Sequence, residues 1–209
     1  LRTVSTGTAL FQGKFLYQPL GANPYQIYSV SGRIIKVDTE TRQVTDLSGM
    51  FNLFNSATSD YAYFVQAEQF LVIQSGDLVT LPLIWDGTIL RRSKGITNTA
   101  VAPGTPGVNE IPAAGPMDYF MGRLWYAQGR QVSAGDIVRG PSGTLAYNFT
   151  DAVINVTESP MVLQGDGFTV PSESGNIRAV KHSANIDAAL GQGRLFVSTI
   201  KSIYALNVP

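Results

Sequence analysis

Hydrophobic and polar residues alternate with a period of two along nearly the whole chain, in short runs punctuated by Gly, Asn, Asp or Pro. That period puts every second side chain on one face of an extended segment, so the runs predict half-buried β-strands. Tyr25–Val30 reads as one strand, Ser31-Gly32 as a turn and Ile34–Val37 as the next strand. Asp38–Thr41 turns the chain again and Gln43–Thr45 returns it. Gly and Asp stand at these turns because a tight hairpin needs positive φ or a side chain that bonds its own backbone.

The unit recurs. Ala62–Val65, Phe70–Ile73, a turn at Ser75-Gly76-Asp77 and Leu81–Trp85 make a second one. Tyr119–Met121, Leu124–Ala127 and Val132 make a third, and Ile177–Val180, Leu195–Val197 and Ile203–Leu206 a fourth. Gly-Arg-Ile or Gly-Arg-Leu marks Gly32, Gly122 and Gly193, with a looser Gly-Lys-Phe at Gly13. Units of roughly 40 residues built from several short strands predict an all-β chain of antiparallel sheets arranged as β-propeller-like blades, about four in number. An ordinary β-sandwich is the alternative. Ile27, Ile35, Val72, Ile84, Leu124, Tyr126, Val180, Phe196 and Tyr204 are the expected core.

Two stretches depart from the alternation. Thr97–Pro116 carries Pro103, Pro106, Pro112 and Pro116 with Gly104, Gly107 and Gly115, and reads as a long loop or arm. Ser133–Asp166 is mixed, with turns at Gly140–Gly143 and Gly165-Asp166-Gly167. Ser183–Leu190 has the alanines for a turn or two of helix, too short to stand alone, and less than one-tenth helix is expected. The organisation is therefore residues 1–96 as blades one and two, 97–116 as the loop or arm, and 117–209 as blades three and four.

Composition narrows the chemistry. Only 14% of the 209 residues are charged, and Lys+Arg and Asp+Glu both number 15. This argues against a basic nucleic-acid-binding domain and leaves little repulsion between copies. No cysteine is present, which excludes disulfides, thiolate metal sites and cysteine nucleophiles. With His182 as the single histidine, no His-rich metal cluster forms. No apolar run approaches the ~18 residues that span a bilayer. The chain opens on Leu1 and reads as a piece of something larger.

The candidate catalytic residues each have a plainer explanation. His182 lies in an alternating run with Arg178 and Val180 and lacks a Gly-x-Ser-x-Gly partner, so it reads as a solvated or hydrogen-bonded strand histidine. Asp60, Asp86, Asp118, Asp136 and Asp166 are candidates for the paired carboxylates of a glycosidase. Asp86-Gly87 and Gly165-Asp166-Gly167 are also what hairpin turns require. No Asp-x-Asp calcium pattern or phosphate-binding glycine loop occurs, so no metal, cofactor or catalytic residue is assigned. Tyr61, Tyr63, Trp85, Tyr119, Trp125 and Tyr126 have the chemistry to stack on sugars, but in alternating strands such rings more often pack a sheet face. Arg91-Arg92-Ser93-Lys94 is the single basic run and reads as a solvated strand end. Asn148-Phe149-Thr150 and Asn155-Val156-Thr157 match the glycosylation pattern, which is common by chance.

Four stretches carry a resemblance: Gln69–Gly76, Pro82–Arg92, Met121–Gly129, and Gly193–Thr199 with Ser202–Leu206. They resemble virion proteins of tailed bacteriophages, and look like the propeller-bearing nozzle or stabilisation proteins that close the tail of short-tailed phages. The resemblance implies a non-enzymatic structural component in the virion tail. Its partners would be other virion proteins and further copies of itself in a ring, with DNA passing through the assembly and no membrane span. No functional residue carries over, because that role rests on shape and assembly. The alternative is a carbohydrate-binding or glycoside-hydrolysing β-propeller, and a scaffold domain of a cellular protein is a third reading.

Overall fold

The structure, a computed structural model, describes residues 9–97, 109–137, 152–157, 168–183 and 193–206. Four antiparallel sheets follow one another along the chain and form a propeller-like ring of four blades, with 7% helix. The first is β1 (Phe11–Tyr17), β2 (Tyr25–Val30), β3 (Arg33–Asp38) and β4 (Val44–Asp46), followed by the short helix α1 (Leu47–Phe51). The second is β5 (Tyr63–Ala67), β6 (Phe70–Gln74), β7 (Leu83–Trp85) and β8 (Leu90–Arg92). The third is β9 (Met117–Phe120), β10 (Arg123–Gln128), β11 (Gln131–Ala134) and β12 (Phe168–Thr169). The fourth has three strands, β13 (Ile177–His182), β14 (Leu195–Thr199) and β15 (Ile203–Leu206). A two-sheet sandwich is thereby replaced by four separate blades. No helix among the described residues is long and apolar enough to cross a membrane.

Each strand's alternation turns two faces of a blade toward two different neighbours. In the second blade, Phe64, Ile73 and Leu83 lie in one cross-strand row, as do Leu71, Trp85 and Leu90. Both rows pack against Tyr17, Tyr25, Ile27 and Ile34 of the first blade. The opposite face, with Val65, Val72 and Ile84 in one row, packs against Met117, Leu124 and Tyr126 of the third. Buried on both faces, β6 reads Phe-Leu-Val-Ile without polar interruption until Gln74. Trp125, Ala127 and Val132 then meet Val180, Leu195 and Val197 of the fourth blade.

Three seams are closed in this way among the described residues, and the fourth is not. Among the described residues no hydrophobic cluster joins the fourth blade to the first. On the free face of the first blade, Phe11 is 58% and Val44 64% exposed, and Leu16 is exposed beside half-buried Tyr28, Ile35 and Val37. On the free face of the fourth, Ile203 is 72% exposed and Phe196 and Ala205 lie open beside it. This corrects part of the expected core. Ile27, Val72, Ile84, Leu124, Tyr126 and Val180 are buried, whereas Ile35 and Tyr204 are half-buried and Phe196 is exposed. Ile35 and Phe196 point to the faces that no blade covers.

The turns follow the sequence closely. Ser31 (φ 47°) and Gly32 (φ 77°) join β2 to β3, and Met121 (φ 53°) and Gly122 (φ 69°) join β9 to β10, both with the paired positive φ of a type I′ hairpin. Gly32 also has no room for a side chain, since a Cβ there would overlap the Asn55 carbonyl oxygen. Asp77 closes the loop after β6: its carboxylate accepts the Val79 and Thr80 N–H groups at 3.0 and 2.8 Å and the Thr80 hydroxyl at 2.6 Å. Burial by itself would raise the Asp77 pKa, but these hydrogen bonds outweigh it and hold the carboxyl below its ordinary value. A folded pKa below the unfolded one contributes stability above the unfolded value, which is lost as pH falls through the folded value. Asp77→Asn should therefore destabilise the protein at neutral pH and flatten its loss of stability below about pH 4, as followed by thermal melts across pH. A variant with the parental acid profile would remove Asp77 from that account.

Within the stretch read as a loop or arm, residues 109–116 form no strand, yet all are buried. Ile111 lies in the seam between blades two and three, and Glu110 bridges to Asn155. This half of the stretch is filling between blades and does not stand off as an arm. Residues 98–108 and the helix expected over 184–190 lie outside the described residues.

Candidate functional site at the propeller axis

The first strands of the blades, β1, β5, β9 and β13, run next to one another around the axis. They line one cavity of about 310 Å³. Blade one contributes Phe15, blade two Phe64, Val65 and Gln66, blade three Met117, Asp118 and Tyr119, and blade four Lys181 and His182. Phe15 and Phe64 lie nearly parallel, 6.2 Å apart at 14°. The Tyr119 hydroxyl donates to Glu68 Oε1 at 2.5 Å, which ties the third blade to the β5–β6 turn. On the same circle of strands, burial pushes the Tyr63 phenol pKa up, opposed by the nearby Arg178 guanidinium.

Asp118 is the polar centre of the cavity. It sits on the face of β9 turned to the fourth blade, and its side chain is 4% exposed. Oδ1 accepts Lys181 Nζ at 2.7 Å, and Oδ2 accepts the His182 backbone N–H at 2.6 Å. His182 Nδ1 meets the same Oδ2 at 2.6 Å, and its ring stacks on Phe120 with centroids 5.0 Å apart and planes 11° from parallel. Because the carboxylate oxygen is the acceptor, Nδ1 is assigned the ring proton and the neutral ring keeps its lone pair on Nε2. Nε2 has no hydrogen-bond partner among the described residues. A carboxylate that fixes the tautomer of an imidazole also orients it. The arrangement can hold a ligand hydrogen-bonded to Nε2 and to Lys181.

The other carboxylates do not converge here. Asp60 is exposed on a loop. Asp86 caps its own turn by accepting the Thr88 and Ile89 N–H groups, each at 2.7 Å. Asp136 accepts the Thr157 hydroxyl at 2.6 Å, and Asp166 lies outside the described residues. Among the aromatic candidates Tyr119 reaches the cavity, Trp85, Trp125 and Tyr126 are core, Tyr63 is half-buried and Tyr61 is exposed. Asn155-Val156-Thr157 is buried, and Asn148 lies outside the described residues.

The basic run is a clamp and not a solvated strand end. Arg91 makes two bonds to Glu110, at 3.0 and 3.1 Å, and the Lys94 N–H reaches the same carboxylate at 2.7 Å. Arg92 donates to the Leu81 and Phe54 carbonyls at 2.6 and 2.5 Å.

Sequence reasoning had singled out Asp118 and His182 separately. It had no means to pair residues 64 positions apart, and Phe15, Phe64 and Lys181 carried no signal of their own. Compared with known proteins, the chain matches no protein-family model and no curated protein sequence.

Proposed function

We propose that this chain is a structural, non-enzymatic assembly module, and that its place is the tail of a tailed bacteriophage. One observation carries the assembly reading: the first and fourth blades leave apolar faces in solvent where the three inner seams bury theirs. Large apolar side chains gathered on an uncovered blade face are what an interaction site presents, here interspersed with Lys14, Gln26 and Arg33 on the first blade. A net charge of zero removes the repulsion that would keep copies apart. The tail assignment rests on the resemblance of four blade segments to tail nozzle proteins, and the propeller-like architecture supports it. In that role the blades supply shape, and the free faces of blades one and four supply contact with neighbouring subunits.

Light-scattering mass of the purified 209-residue chain across a concentration series tests the assembly reading. Association that rises with concentration and is abolished by Leu16→Glu or Phe196→Glu is expected. A well-folded monomer at the highest concentration would overturn it. Immunogold labelling of tailed phage particles whose genome encodes this chain tests the tail. Gold confined to the tail supports the assignment, and unlabelled particles reject it.

A further inference from the structure

We infer that the axial cavity is a binding site for a single neutral sugar ring, an activity separate from the assembly role. Its size sets the scale: about 310 Å³ is at the low end of ligand cavities, roughly 300–1,000 Å³. That admits one pyranose and not an extended chain. Its polar groups set the class. His182 Nε2 offers an acceptor whose direction is fixed by the bond from Nδ1 to Asp118, and Lys181 Nζ retains donors beyond the one it gives Asp118. Both residues line the cavity, and an acceptor and a donor there match sugar hydroxyls, each of which both donates and accepts.

Charge argues for a neutral ligand. Among the lining residues the Asp118 carboxylate stands against the Lys181 ammonium, so the wall holds no cluster of cations to draw a carboxylate or phosphate. The apolar wall agrees, since Phe15, Phe64, Val65 and Met117 line the cavity and supply apolar surface for the C–H face of a pyranose. Cleavage is not part of this inference. A glycosidase uses two carboxylates roughly 5–9.5 Å apart. Asp118 alone among the described carboxylates lines the cavity, and its oxygens already accept three bonds.

The test is saturation-transfer and heteronuclear NMR on the full chain with methyl glucoside, methyl galactoside and methyl mannoside, and with acetate and phosphate as anion arms. At least one glycoside should saturate in the millimolar range and shift the His182 ring resonance. Lys181→Met keeps the aliphatic stem of an exposed side chain, and His182→Phe keeps the stack on Phe120. Each should weaken binding about tenfold or more, equivalent to one lost hydrogen bond. Trp85 and Trp125 fluorescence reports folding, and Lys181→Met remains decisive should His182→Phe fail to fold. The inference falls if no glycoside shifts His182, if only acetate or phosphate does, or if Lys181→Met binds as tightly as the parent. None of these outcomes bears on the oligomeric mass that tests the assembly reading.

Discussion

Replacing Arg91 by Ala should lower the unfolding free energy by about 3 kcal/mol, the lower end of the cost of breaking a buried ion pair. Glu110 is the reason. Its side chain is 2% exposed and lies between the second and third blades, where it accepts both Arg91 Nη groups and the Lys94 N–H. Truncating Arg91 removes from the buried carboxylate the one side-chain cation bonded to it among the described residues. The arginine is itself 34% exposed, so water can enter part of the vacated space, which keeps the cost at the low end. The pair need not stabilise the fold relative to apolar residues of the same shape. Arg91→Met combined with Glu110→Gln should therefore recover most of the loss, to within about 1–2 kcal/mol of the parent. Urea unfolding of the two variants reads both numbers. A loss below 1 kcal/mol for Arg91→Ala would show that Glu110 has another route to charge compensation.

The blade architecture was legible in the sequence because its cause is local. Period-two alternation and turn residues such as Ser31-Gly32 and Ser75-Gly76-Asp77 act over a few positions, and they set strands and hairpins before any long-range contact forms. Among the elements that escaped, β1 and α1 did so for equally local reasons. β1 carries a register shift between Phe11 and Gly13 that breaks its alternation. Helix α1 has five residues, too few for a helical period, and is announced only by Asp46, whose carboxylate caps Gly49 at 2.9 Å. The axial site was hidden because it is a property of blade order. Asp118 begins one blade's inner strand and His182 ends the next one's, and no spacing rule in a degenerate repeat pairs them. Which blade face lies open was hidden for the same reason. The alternation in β2–β3 and in β14 predicts a buried row on each side, and whether a neighbour exists to cover it is not written locally.

Trp85 and Phe196 put that last distinction to a quantitative test. Both are large aromatic residues on blade strands, and alternation alone assigns both to a core. Trp85 stands in the closed seam between blades one and two, 3% exposed, edge-on to Phe51 at 6.2 Å, with its indole N–H donating to the Tyr25 hydroxyl at 2.6 Å. Trp85→Ala removes the packing, opens a cavity and leaves that hydroxyl without its donor, so a loss of about 3–5 kcal/mol is expected. Phe196 is 37% exposed on the free face of the fourth blade. Measured at a concentration where the protein is monomeric, Phe196→Ala should cost no more than about 1 kcal/mol, as for a side chain outside the core. At higher concentration the same variant should show reduced association, because the ring it deletes belongs to the contact face. Urea unfolding at two concentrations separates the two effects. Equal losses for the two variants in the monomer would mean that the fourth blade's outer face is already packed in the isolated chain, and the open-seam account of assembly would fail with it.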